Sequence, residues 1–187
     1  TIHHQEEPLG TAHAILCAGD SLEGNVIVAF ADTLFKADFS IEKSKDGIIW
    51  VQKVEDPSKF GVVKYKEGGI ITDFIEKPQT FVSDLAIIGI YYFRDGAYLR
   101  SELQKLIDNK VMVKGEYQLT DALENMKATG YQFHTGTVDA WLDCGNKKAT
   151  VDTNQRYMDF KKSENLVSAE AKIENSVLIQ PVFIDAG

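Results

Sequence analysis

The chain has 187 residues, 44% of them hydrophobic and 26% charged, with a formal net charge of −8 and a pI near 5.0. A chain of this size is expected to bury roughly 70% of its unfolded surface in one domain with a small appendage, and its acidity argues against general binding to nucleic acid or anionic membrane. No apolar run reaches the ~20 residues that span a bilayer and no basic-then-apolar leader is visible, while Cys17 and Cys144 are read as reduced thiols, so a cytoplasmic location is expected.

In chain order, TIHHQ reads as the end of a strand, Gly10 as a turn and TAHAILCAGDSL as a helix capped by Thr11. Next comes NVIVAFADTLF, whose apolar run from Val26 to Ala31 predicts a strand buried on both faces, as in a parallel sheet under helices. That run ends on Asp32, and an uncompensated carboxylate at such a tip needs a partner. GIIWVQKV predicts a strand, and FGVVKYKEGGIITDFIEKP a hairpin turning at Glu67-Gly68-Gly69. LAIIGIYYF is a second wholly apolar strand. GAYLRSELQKLIDNK places Leu99, Leu103, Leu106 and Ile107 on one helical face, and LTDALENMKATG gives a shorter helix ending at Gly130. YQFHTGTVDAWLDCGN reads as paired strands, followed by the helix KKATVDTNQRYMDFKK. This alternation of strands and amphipathic helices is the α/β pattern.

The texture changes near residue 166. Val167, Ile173 and Ile179 are spaced by six with small or polar residues between them, the signature of a parallel β-helix; the alternative is a chance spacing within a C-terminal strand. Three hexads cannot bury their faces without stacked neighbours, so the chain is expected to stop inside a domain. The expected division is a domain over 1–163 and the start of a repeat domain over 164–187.

Ligands of open α/β sheets bind beyond the carboxyl ends of strands, and Asp32 and Asp143 both stand at such ends, the latter in AWLDCGN just before a glycine. Together they suit one Mg²⁺, a hard cation that combines carboxylates with substrate phosphates; alternatively, each caps a nearby turn or helix. Gly10-Thr11 opens a helix, so its backbone donors suit a base or a phosphate, with Gln5 nearby offering a donor and an acceptor. Glu76-Lys77-Pro78 leaves a strand with a carboxylate for sugar hydroxyls and an ammonium for a phosphate, or else forms a solvated turn. His3 and His4 are adjacent on the expected strand and point to opposite faces, which disfavours a zinc site.

The ordered strings QEEPLGTAHA, FADTLF, FGVV, IEKP, LAIIGIYYF, GEYQLTD and AWLDCGN resemble the sugar-1-phosphate nucleotidyltransferases, the family of glucose-1-phosphate thymidylyl- and uridylyltransferases and mannose-1-phosphate guanylyltransferases. The resemblance covers residues 1 to about 160, and the terminal hexads resemble the left-handed β-helix that many members carry. It implies an α/β, Rossmann-like, three-layer fold and Mg²⁺-dependent transfer of a nucleotidyl group from an NTP to a sugar 1-phosphate, giving an NDP-sugar and pyrophosphate. The alternative is a non-catalytic nucleotide-sugar-binding regulatory subunit; a hexapeptide-repeat acyltransferase would require more coils. By position, Gln5, Gly10 and Thr11 are implied to hold the nucleotide, Asp32 and Asp143 the metal, and Gly61, Glu76, Lys77, Ile87 and Tyr91 the sugar phosphate; Asp32, Lys77 and Asp143 are the catalytic set. His13 stands where many relatives have glutamine, and Ala31 where a glycine is commoner.

The family's opening strand and glycine-rich loop, GGxGTRLxPLTxxxPK, whose arginine and lysine bind the triphosphate, has no counterpart in these residues. The chain is therefore expected to be the middle of a longer protein, inactive by itself, and to self-associate through exposed sheet edges as a homo-oligomer.

Overall fold

The computed structural model describes residues 1–38 and 40–186. They form two compact units, one of Thr1–Phe30 with Lys36–Asp139, the other of Ala31–Phe35 with Ala140–Gly187.

The first unit is organised by β6 (Leu85–Phe93), whose nine residues are buried from Ala86 onward. Along one side of β6 runs β3 (Gly47–Lys53), antiparallel, with a register shift between Ile49 and Val51. Along the other runs β1 (Val26–Ala29), also antiparallel, while Val62 of β4 (Gly61–Lys66) bridges to Ala86. β4 turns through Glu67-Gly68-Gly69 into β5 (Ile70–Glu76), the expected hairpin, with Gly68 at φ 80 and Gly69 at φ 72 supplying the left-handed positions. With β7 (Phe133–Thr137) the sheet order is β1-β6-β3-β7-β5-β4, and β3–β7 is its parallel pairing.

Helices α1 (Thr11–Leu16), α2 (Gly96–Asp108) and α3 (Leu119–Ala128) supply the other layer. Asp95 caps α2 through the Tyr98 amide. The predicted stripe of α2 is buried at Leu99, Leu103 and Leu106, each worth roughly 1.5–3 kcal/mol. It packs in one core with Tyr91, Phe93, Leu123, Met126 and Phe133. Phe133 meets the edges of Phe74 and Phe93 at 5.3 and 6.2 Å. The opposite strand face is buried as well, at Ile48, Trp50, Ile88, Ile90 and Tyr92.

Four expectations are corrected. Residues 1–5 form no strand, because no neighbouring backbone pairs with them. The first helix stops at Leu16 and gives way to a 3₁₀ turn over Gly19–Ser21, where glycine, aspartate and serine are poor interior helix formers. Its N-cap is Gly10, at φ 101, and Thr11 caps nothing in its own helix. The strand at 26–29 is not buried on both faces or parallel: it lies at the sheet edge with Val26 and Val28 half-buried and Ile27 57% exposed. Among the described residues its one strand partner is β6, and the side that carries Val26 and Val28 packs on the core.

The second unit holds a two-stranded sheet of β2 (Thr33–Lys36) and β8 (Ala140–Asp143), with α4 (Lys147–Phe160) following β8. β7 and β8 are therefore not a pair, which is the fourth correction; each takes its partners from strands distant in sequence. Beyond α4 a parallel bridge joins Val167 to Ile184, with hydrogen bonds from Ser168 N–H to the Ile184 carbonyl and from Ile184 N–H to the Leu166 carbonyl. Val167 is half-buried, whereas Ile173 and Ile179 are 40% and 83% exposed.

Candidate active site

Within the first unit, Glu76 is the centre of one constellation. It ends β5 and pairs with Gly61, which opens β4. A Cβ on Gly61 would stand 3.1 Å from Glu76 Oε2, 3.4 Å from Ile87 Cδ1 and 3.5 Å from Thr120 Cγ2, so the glycine leaves room for the carboxylate. Thr120 Oγ1 donates to the same Oε2 at 3.4 Å. Tyr91 is buried beside them; burial first and the Glu76 charge second push its phenol far above the ordinary range, so it stays a protonated donor. Lys77 follows with φ 41, a left-handed conformation unusual outside glycine and worth about 1–3 kcal/mol of strain. The Lys77 amide bonds to the Phe60 carbonyl, and its ammonium lies 3.6 Å from Glu76 Oε1 while remaining half-exposed. Gly61, Glu76, Lys77, Ile87 and Tyr91 are thus neighbours.

The Gln5–Thr11 segment is anchored in the same unit. A Cβ on Gly10 would fall 2.6 Å from the Tyr117 carbonyl oxygen and 2.8 Å from its nitrogen, so only glycine fits. Ala12 N–H donates to the Tyr117 carbonyl and Tyr117 N–H to the Leu9 carbonyl. The Gln5 amide nitrogen donates to the Gly10 carbonyl at 3.1 Å and stands 3.0 Å from His13 Nδ1. Since a carbonyl only accepts, this fixes the orientation of the Gln5 amide, with the oxygen as the acceptor it presents elsewhere. Thr11 Oγ1 accepts from Leu119 N–H, a partner 108 positions away.

In the second unit, Asp32 lies in the turn before β2 and Asp143 closes β8. Cys144 N–H donates to the Asp32 carbonyl, and Gly145 N–H to Asp143 Oδ1, both at 2.8 Å. From α4, Thr153 Oγ1 donates to the Asp143 carbonyl at 2.6 Å. A Cβ on Gly145 would stand 3.1 Å from Asp143 Oδ1 and 3.4 Å from Asp32 Oδ2. The two carboxylates therefore converge on one point that glycine keeps open, and the donor set suits a hard divalent cation. Among the described residues no group of three or more His, Cys, Asp or Glu forms a metal cage. A cation held here would complete its shell with water and phosphate oxygens, as Mg²⁺ does.

Thr120 and Tyr117 carry weight that sequence reasoning gave to neither, whereas Gly145 was singled out there as the glycine of AWLDCGN. A signal was present for both, since GEYQLTD stood out as a string between elements; its contacts are long-range.

The nucleotidyl transferase family model matches residues 1–159. A mannose-1-phosphate guanylyltransferase catalytic subunit beta from Drosophila melanogaster is 35% identical over 194 residues, covering 95% of this chain and 48% of that protein. A glucose-1-phosphate thymidylyltransferase from Streptomyces antibioticus is 28% identical over 211 residues, covering the whole of this chain and 58% of its own. Among solved structures, a UDP-glucose pyrophosphorylase complexed with UDP-glucose shares 25% identity at a TM-score of 0.68, over 83% of this chain and 65% of that one. The chain spans about half the length of the curated relatives it matches.

Proposed function

The chain belongs to the nucleotidyl transferase family, and from that premise we propose that the whole protein transfers a nucleotidyl group from an NTP to a sugar 1-phosphate in the presence of Mg²⁺. The observation that carries this reading is the convergence of Asp32 and Asp143 on the space left by Gly145.

The sugar phosphate oxygen attacks the α-phosphorus in line. A new P–O bond forms, the bond from the α-phosphorus to the bridging oxygen breaks, and pyrophosphate leaves with that electron pair. No covalent enzyme intermediate is needed, so the residues act by positioning and charge. Asp32 and Asp143 would hold the cation, whose chemistry is to neutralise phosphate oxygens as charge shifts onto the leaving group. Glu76 accepts from sugar hydroxyls, with Thr120 orienting its carboxylate. Lys77 pairs with the sugar's phosphate as a point charge, and its left-handed backbone directs that side chain. Ile87 and Tyr91 line the sugar side, Tyr91 as a neutral donor. Gln5 presents its carbonyl oxygen to a base donor, and Gly10, whose missing side chain makes room for Tyr117, holds the base-binding segment against the entry to α3.

Residues 1–163 are the catalytic domain in this reading, and 164–187 begin a left-handed β-helix. The parallel bridge from Val167 to Ile184 supports it, joining points roughly three hexads apart, as one coil does. The β1 edge, with its exposed Ile27, supports self-association of these residues, and a homo-oligomer remains part of the proposal.

The test is pyrophosphate release by the whole protein with Mg²⁺, the common NTPs and a panel of sugar 1-phosphates. Turnover with at least one pair is expected. Tight binding of a nucleotide sugar with no turnover would favour the regulatory-subunit alternative, against which the paired carboxylates argue.

A further inference from the structure

We propose that the Thr11 side chain is a positioning group for the sugar 1-phosphate, its hydroxyl engaged by α3 and not by the nucleotide. The inference rests on the sugar reading of Glu76 given above.

α3 begins without a side-chain cap of its own, because its N-cap residue Gln118 makes no capping hydrogen bond. A helix start leaves amides without intrahelical acceptors. One of them, Leu119 N–H, is taken by Thr11 Oγ1 at 3.1 Å, so a residue from the start of another helix caps α3 from outside. The joint is reinforced on both sides by backbone: Tyr117 N–H to the Leu9 carbonyl at 2.8 Å and Ala12 N–H to the Tyr117 carbonyl at 3.0 Å. Gly10 is pressed against Tyr117 with no room for a side chain. Of these contacts only that of Thr11 is made by a side chain, and it faces inward.

What it holds is the next residue. Thr120 donates through Oγ1 to Glu76 Oε2, and its methyl carbon stands near Gly61 and therefore beside Glu76. The Thr11 hydroxyl thus sets the first turn of α3, and that turn sets the rotamer of the sugar carboxylate. Leu119 is buried and gives the joint little room to shift.

The experiment uses the whole protein. Thr11→Val, isosteric but without an acceptor, and Thr11→Ala are compared with Thr11→Ser, which keeps it. Steady-state KM is measured for each substrate with the other saturating, alongside thermal melting. Loss of a cap is expected to raise KM for sugar 1-phosphate about five-fold in the Val and Ala variants and to leave KM for the NTP within about two-fold. Serine restores the sugar KM. Thr120→Val raises the same constant, and combined with Thr11→Ala it adds less than the product of the two effects. A rise in the NTP constant alone, or equal rises in both, overturns the inference. So does failure of both hydroxyl-free variants to fold while Thr11→Ser folds, since the hydroxyl would then be a structural cap only. A wild-type protein that releases no pyrophosphate from any pair overturns the functional reading and this inference with it, whereas wild-type turnover with the wrong KM response overturns this inference alone.

Discussion

Glu76 is enclosed by residues of three elements, with side chains from β6 and α3 and the bare backbone of Gly61 from β4, whereas Asp32 and Asp143 are held largely by backbone. Around Glu76, β4 contributes Gly61, β6 contributes Ile87 and Tyr91, and α3 contributes Thr120, most of them buried. Around the two aspartates, the amides of Cys144 and Gly145 and the Thr153 hydroxyl do the orienting, on a pair of short strands with Asp32 exposed. Packing therefore positions one constellation and hydrogen-bonded turns position the other. The consequence is a difference in what substitution disturbs: near Glu76, stability and affinity move together, while at the aspartates chemistry changes with few buried contacts at stake.

The strongest way to break this contrast is at the carboxylates. In the whole protein, Asp32→Asn and Asp143→Asn are each expected to lower turnover by about 10²–10³-fold or more, with melting temperature nearly unchanged. The double variant should lose little beyond either single one, because both act through one cation. Pyrophosphate release and calorimetry on the three proteins check this, and near-wild-type turnover in either single variant would remove the shared-metal reading.

A matched pair of glycine substitutions sharpens the contrast. Gly145→Ala puts a methyl between the two carboxylates without backbone strain, since Gly145 has no positive φ. It should weaken divalent-metal binding by about ten-fold, in the range for groups that orient metal ligands, at little change in melting temperature. Mn²⁺ titration followed by electron paramagnetic resonance reads this directly. Gly61→Ala adds the same methyl 3.1 Å from Glu76 Oε2, inside a packed corner. There, overpacking should cost about 1–3 kcal/mol of stability and raise KM for sugar 1-phosphate together. Equal melting shifts in the two variants would show that packing does not distinguish the sites.

The smallest effect is expected at Asp121, next to Thr120 on α3. Burial first, then the Glu124 charge, raise its carboxyl pKa above the ordinary 3.8. With a folded-state pKa above the unfolded one, stability is fully present below pH 3.8 and is lost as pH rises from there through the folded value. Asp121→Asn should therefore be slightly more stable than wild type at pH 7, by under about 1 kcal/mol because a carboxylate in the first helical turn has a compensating benefit. The gain should vanish near pH 3.5. Urea unfolding at the two pH values measures it, and a gain that persists at pH 3.5 would assign it to some cause other than ionisation.

Much of the local architecture was legible in the residues alone. The spacing of Leu99, Leu103 and Leu106 is a statement about one helix, and Glu67-Gly68-Gly69 about one turn; both depend on neighbours a few positions away. Asp143 at the end of a strand and the ordered motif strings were legible for the same reason. What failed was coverage and pairing. NVIVAFADTLF has the composition of a central strand, and among the described residues its strand pairs with β6 on one side, antiparallel and not parallel. FHTGT and AWLD, separated by two residues, read as one hairpin but belong to different sheets.

By itself, the sequence determined most of the elements, their turns and the identity of the chemical groups, since backbone preference and apolar periodicity act over a few residues. Only the tertiary structure decided which groups meet: Thr11 with Leu119, Gly61 with Thr120, and Asp32 and Asp143 at Gly145. Those meetings depend on strand order and close approach across distant segments, where the absence of a single methyl group settles whether two carboxylates can converge.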